Sequence, residues 1–163
     1  MAIEIKLNHT FEFEISNIQF DLIPLDMIVD IMKDGRFSSP FIERWLALKF
    51  KGLTHITGNK DHDHVDEYGN LYDAKNFTKG GLQFKPSNQI GANRKFNKEI
   101  AYEKAQKLIY ICCDIIDFPK LRVRFVEGKI LSQQFPLCHI PFKKRDFLFS
   151  NNNEIIQHVE HSI

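Results

Sequence analysis

The 163-residue chain reads as an α/β (α+β) domain, a central mixed β-sheet flanked by helices. Three observations predict this. From residue 40 onward the hydrophobic periodicity runs helix, three strands, helix, strand, strand. The run Leu108-Ile109-Tyr110-Ile111-Cys112-Cys113-Asp114-Ile115-Ile116 is almost continuously apolar, as in a strand buried on both faces. A composition of 43% hydrophobic and 26% charged residues is enough to build one core and excludes a disordered chain.

Residues 3–7 and 11–20 alternate with period two and predict edge strands or a hairpin. Leu25 to Lys33 has apolar residues at 25, 28, 29 and 32, which predicts a short helix stopped by Gly35. Ser39 is a suitable N-cap and Pro40 suits a first helical position, so a second helix is expected from Pro40, ended by Gly52. Residues 53–57, 61–67 and 71–78 predict three strands, the last two joined by the hairpin turn Glu67-Tyr68-Gly69-Asn70. A loop through Gly80-Gly81 and Pro86-Ser87-Asn88 leads to a helix over 92–107, with Phe96, Ile100, Ala101, Ala105 and Leu108 on one face. Pro119 ends the buried strand, and Leu121 to Val126 alternates as another. The last thirty residues carry no clear periodicity.

A formal charge of +1 excludes a tail-driven polycation. No run of eighteen apolar residues is present, and the N-terminus alternates apolar and charged residues. A cytoplasmic protein without a membrane span is therefore expected. Cys112, Cys113 and Cys138 form no CxxC pair and are expected to be buried thiols.

The densest chemistry lies between residues 59 and 75. Five carboxylates and no Lys or Arg fall between 61 and 74. Asp73 and Lys75 are two apart, so on a strand they share a face. If Asp66-Glu67-Tyr68-Gly69-Asn70 forms a type I turn with Gly69 left-handed, Asp66 pairs with Asn70 and Asp63 falls across from Asp73. If Gly69-Asn70 is a two-residue turn, Asp66 faces Asp73 instead. Either register sets two carboxylates about 5 Å apart at Cβ. Such a pair needs a cation between its members, and oxygen ligands at that spacing suit Mg²⁺. A lysine beside the metal can orient a water or neutralise phosphate charge.

An acid, a short hairpin and then Asp-x-Lys on the next strand resembles the core of the PD-(D/E)XK nucleases. These include type II restriction enzymes, homing endonucleases and junction resolvases. The resemblance spans about residues 38–126 and includes the flanking element order. It implies a restriction-endonuclease-like fold in a single domain, 1–163. Residues 1–37 and 127–163 would then be additions for dimerisation or DNA contacts. It also implies a Mg²⁺-dependent, sequence-specific DNA endonuclease. Asp63 and Asp73 would hold the metal with the Ala74 carbonyl, Asp66 being the alternative first acid. Lys75 would activate the water, and Glu43, on the preceding helix, would assist. One site cuts one strand, so a double-strand break would require a homodimer or higher symmetric oligomer.

Residues 75–107 hold eight basic residues and two acids, Glu99 and Glu103, for a local sum of +6. Lys79, Gln83, Lys85, Asn88, Gln89, Asn93, Arg94 and Lys95 combine phosphate-binding cations with amides able to read base edges. They are the expected DNA-binding residues. Two other readings are carried forward. One is a nucleic-acid-binding domain of the same fold without catalysis. The other is a zinc hydrolase, because His62, His64 and Asp66 resemble the first zinc motif of the metallo-β-lactamase fold.

Overall fold

A computed structural model describes residues 1–58 and 61–151. In chain order the elements are β1 (Thr10–Glu14), α1 (Leu25–Met32), α2 (Gly35–Lys49), β2 (Thr54–His55), β3 (His64–Val65) and β4 (Leu71–Phe77). Then follow β5 (Leu82–Gln83), α3 (Lys98–Gln106), β6 (Leu108–Asp114), β7 (Lys120–Glu127), α4 (Gly128–Gln134), β8 (His139–Ile140) and α5 (Arg145–Phe149). Six strands form one mixed sheet in the order β1-β7-β6-β4-β3-β2. All neighbours are antiparallel except β4 and β6, which run parallel. A parallel pair needs a crossover, and α3 lies on the connection that supplies it. The strands β5 and β8 form a separate two-stranded ribbon.

Strand alternation sorts the core into two layers. On β6, Leu108, Tyr110 and Cys112 join Ala101, Ala105, Leu131 and Leu148 on one side of the sheet. Ile111 and Cys113 join Ile42, Leu46, Phe50 and Tyr72 of the α2 side. This is why the run 108–114 carries no polar alternation: both of its faces are covered. All three cysteines are buried free thiols, and burial pushes Cys112 up to about 12. Truncating a fully buried residue such as Leu46 should cost about 2–5 kcal/mol.

Several element boundaries differ from expectation. The second helix begins at Gly35 rather than Pro40, because Asp34 caps it by accepting the Arg36 amide hydrogen. The Ser38 and Ser39 hydroxyls instead bond back to the carbonyls of Asp34 and Gly35 inside the helix. Gly35 therefore opens α2 rather than closing α1, and α2 ends at Lys49, before Gly52. The helix expected over 92–107 starts only at Lys98. Gly91 and Asn93 have φ of 111° and 62°, and Asn97 caps the helix by accepting from Ile100. The segment 3–7 is no strand; Ile3 and Leu7 make single bridges to Phe50 and Phe125. The period-two stretch from 11 is a strand only to Glu14, and it pairs with β7 as an edge strand.

The region after residue 127 is part of the core as far as it is described. Ile130, Leu131, Cys138, Ile140, Leu148 and Phe149 are all buried. Gly128 opens α4 where an added Cβ would lie 2.1 Å from the Ala105 carbonyl oxygen, so only glycine allows this approach of α4 to α3. The buried Asp114 ties α5 to the sheet by accepting from Arg122 and Arg145, with closest approaches of 2.8 Å. Residues 152–163 lie outside the described residues, as do His158 and His161. Among the described residues no helix is long and apolar enough to cross a membrane.

Candidate functional site

The hairpin turn sets the register of the acidic segment. Gly69 has φ of 84°, and the Asp66 amide donates to the Asn70 carbonyl. His64 stands opposite Tyr72, and Val65 opposite Leu71. This is the left-handed-Gly69 arrangement; the two-residue Gly69-Asn70 turn is not adopted. One residue on, the Asp63 amide donates to the Tyr72 carbonyl at 2.8 Å, so Asp63 bulges beside His64 opposite Tyr72, next to Asp73.

Asp66 is consumed by the turn. Its Oδ1 accepts from the amides of Tyr68 and Asn70, and its Oδ2 accepts from the Asn70 side chain and the Tyr72 hydroxyl. Burial pushes its carboxyl up, but hydrogen bonds from Asn70, Tyr72 and Tyr68 outweigh that and leave it below the usual carboxylate value. As an alternative metal ligand Asp66 is therefore corrected to a turn anchor.

Asp63, Asp73 and Lys75 come together. The ladder between β3 and β4 ends at His64, and beyond it the Asp63 Oδ2 accepts the Ala74 amide hydrogen at 2.9 Å. A strand residue directs its N–H and C=O to the same edge, so the Ala74 carbonyl is turned toward Asp63 as well. Asp73 is buried, and its Oδ2 lies 3.1 Å from the Lys75 ammonium. Burial raises the Asp73 carboxyl to about 6. Lys75 pulls it down, a hydrogen bond with Asp63 and its charge push it up, and Lys104 pulls it down. Two carboxyls this close share either a proton or a cation.

Asp73 and Lys75 pair with Tyr110 and Cys112, so they face the layer that holds α3 and α4. Lys104 on α3 thus reaches the pair electrostatically. It also lines a depression of about 400 Å³ with Asp61, Pro86, Ser87, Asn88, Ile100, Glu103 and Lys107. Lys104 is one of the eight basic residues of 75–107 and is not among the DNA-binding residues expected from the sequence. Its position one turn from the buried Ala101 and beside Ala105 was the available signal.

Glu43 does not join this group. Its Oε2 lies 3.1 Å from His55 Nε2, on the side of the sheet that α2 covers. The charges acting on Asp73 are those of Lys75, Asp63 and Lys104. The assisting role assigned to Glu43 is accordingly replaced by an ion pair or hydrogen bond to His55. The fully buried His64 donates from Nε2 to the Glu43 carbonyl at 2.7 Å, since a carbonyl can only accept. Burial lowers its pKa, which keeps the ring neutral. With His64 turned to Glu43 and Asp66 held in the turn, the zinc triad of His62, His64 and Asp66 does not assemble. Among the described residues no three His, Cys, Asp or Glu side chains are grouped to hold a metal ion.

The basic, amide-rich stretch divides into exposed groups and loop supports. Lys79, Gln83, Asn88, Asn93 and Lys95 are exposed. The Lys85 ammonium sits 5.1 Å over the Phe96 ring. Arg94, exposed, donates to the carbonyls of Ser87 and Ile90. Gln89 is 8% exposed and its Oε1 accepts from the Asn97 amide. It supports the loop from within, so its expected part in reading bases is corrected. A second groove, of about 580 Å³, is lined by Arg36, Ser39, Asn76, Thr78, Gln83 and His139, among others.

No family model, no curated protein and no solved structure matches this chain.

Proposed function

We propose that the chain is a divalent-metal-dependent DNA endonuclease of the PD-(D/E)XK type, acting as a symmetric homodimer. One observation carries the reading: a buried carboxyl, Asp73, sits between a second carboxyl, Asp63, and an ammonium, Lys75. The order α2, antiparallel β2-β3-β4, α3, then β6 parallel to β4 supports it, because it surrounds that trio as in the resembled family.

The donor set suits Mg²⁺. Two facing carboxyls and a backbone carbonyl turned to the same edge are hard oxygen ligands, and the raised Asp73 carboxyl marks a site short of positive charge. Asp63 and Asp73 would hold the ion, with the Ala74 carbonyl. When bound, the ion supplies Lewis-acid polarisation and an acidified water. Lys75 orients the attacking water through its ammonium and offsets charge on the scissile phosphate. Ala74, through its amide, keeps Asp63 aimed at the pair. Lys104 and Lys107 line the depression, and Lys79, Lys85, Arg94 and Lys95 belong to the same basic segment of the chain; these cations would neutralise the phosphodiester backbone.

The test is cleavage of plasmid and phage DNA with Mg²⁺ or with EDTA, followed by sequencing of the ends. The expected result is Mg²⁺-dependent breaks at a defined sequence, abolished by Asp73→Ala and Lys75→Ala while DNA binding persists. Salt-sensitive binding without nicking by the wild type would instead assign a non-catalytic binding domain.

A further inference from the structure

Of the seventeen large apolar side chains exposed among the described residues, nine fall between Phe20 and Leu48. Their centre is α1, Leu-Asp-Met-Ile-Val-Asp-Ile-Met, which is apolar at six of eight positions and has no buried residue. An eight-residue helix is not stable by local bonding alone; it persists by burying an apolar face. Val29 and Met32 are only partly buried against the core, and Leu22, just before the helix, is 90% exposed. On α2, Phe37, Phe41, Arg44 and Leu48 recur at +4, +3 and +4, which makes one stripe facing outward. Phe37 is 67% and Leu48 79% exposed, although α1 packs against this same helix.

We propose that this two-helix face binds a second copy of the chain about a two-fold axis, forming a four-helix layer. The nine side chains leave on the order of 1,000 Å² of apolar surface in water, against about 800 Å² per partner in a standard interface. A monomer seldom exposes so much in one region. A two-fold interface sets the same patch against itself, so it must be complementary to itself in charge. The face carries both signs, with the exposed Asp26 and Asp30 on α1, Lys33 at its end and the exposed Arg44 on α2; the proposed two-fold pairing sets Asp30 of one copy against Arg44 of the other. A lipid surface fits less well, because interfacial helices carry Lys and Arg along the polar face, whereas the polar positions within α1 are Asp26 and Asp30, with Lys33 only at its end. The proposal rests on the homodimer of the proposed function and gives it an interface; the mass measurement, made without DNA or metal, can fail while Mg²⁺-dependent cleavage succeeds, or the reverse.

The test is the solution mass by light scattering and sedimentation, without DNA or metal. Wild type should run at twice 19.1 kDa. Phe41→Glu and Leu48→Glu should raise the dimer dissociation constant at least about tenfold and move the mass toward the monomer. Both positions are exposed, so far-UV circular dichroism should stay unchanged. Ile100→Glu, exposed on α3 away from this face, should stay dimeric. Asp30→Arg should weaken the dimer, and adding Arg44→Asp should restore it. A wild type that stays monomeric at high concentration would overturn the proposal. So would glutamate variants as dimeric as wild type, or binding to vesicles lost with those variants.

Discussion

The Asp63 carboxylate accepts the Ala74 amide hydrogen at 2.9 Å, across the point where the β3–β4 ladder stops. The Asp63 amide still donates to the Tyr72 carbonyl, and the charge-assisted bond from Ala74 holds the Asp63 side chain beside Asp73. The site is therefore stabilised by backbone pairing at one end and strained by like charge at the other.

That strain should be measurable in Asp73. Its carboxyl is raised to about 6 in the folded protein against an ordinary 3.8. The folded state thus binds this proton more tightly than the unfolded state. In metal-free protein its contribution should favour folding increasingly as pH falls from above 6 toward 4, and should be unfavourable at pH 7.5. Asp73→Asn should raise stability at pH 7.5 by on the order of 2 kcal/mol, while ending the proposed Mg²⁺-dependent cleavage. Urea unfolding in EDTA at pH 5 and 7.5 checks this; an equal or lower stability of the variant at pH 7.5 would refute it.

Lys75 pulls the Asp73 carboxyl down from 3.1 Å away. In Lys75→Met the carboxyl should titrate higher still, so the gain in stability on acidification should begin at a higher pH than in wild type. DNA affinity should change by no more than a few fold, because one of many cations is lost. Stability titration and filter binding report the two effects separately.

Asp66 is expected to matter for folding and not for chemistry. Asp66→Ala would leave the Tyr72 hydroxyl and two turn amides without their acceptor, costing about 2–3 kcal/mol. Its carboxyl lies below the ordinary value, so its stabilisation is present at neutral pH and fades as pH falls through and below 3.8. Tyr72→Phe should cost about 1 kcal/mol. Denaturation midpoints measure both, and the proposed cleavage, assayed well below the midpoint, should survive.

Arg124 is fully buried, with Nη1 bonded to the Thr10 hydroxyl and the Ser150 carbonyl. Its Nε and Nη2 find no partner among the described residues, and burial lowers its pKa. Arg124→Met keeps the volume and removes the desolvated charge, so it should be neutral or stabilising by about 1 kcal/mol. Arg124→Ala should destabilise by about 3 kcal/mol through the cavity it leaves. Thermal unfolding of the pair separates packing from charge.

Much of the architecture was legible because burial writes periodicity into the chain. Leu108 to Asp114 showed a strand covered on both faces, and Glu67 to Asn70 showed a hairpin turn whose register two turn types left open. Capping was misread at α2, where Asp34, Ser38 and Ser39 are all competent caps and only the packed helix selects Asp34. The segment after Gly128 was illegible because α4, β8 and α5 are too short for a period to emerge, although their residues fill the core.

By itself the sequence determined that a mixed sheet flanked by helices forms, that Asp73 and Lys75 share a face, and that an acidic segment adjoins a basic one. Strand alternation and composition are local properties, and they suffice for that. Only the tertiary structure decided that Asp63 and not Asp66 stands with Asp73, that Glu43 turns to His55, that Gln89 points inward and that Lys104 reaches the carboxyl pair. Those outcomes depend on turn conformation and on which layer covers each side of the sheet. Neither is encoded in the spacing of residues along one strand or helix.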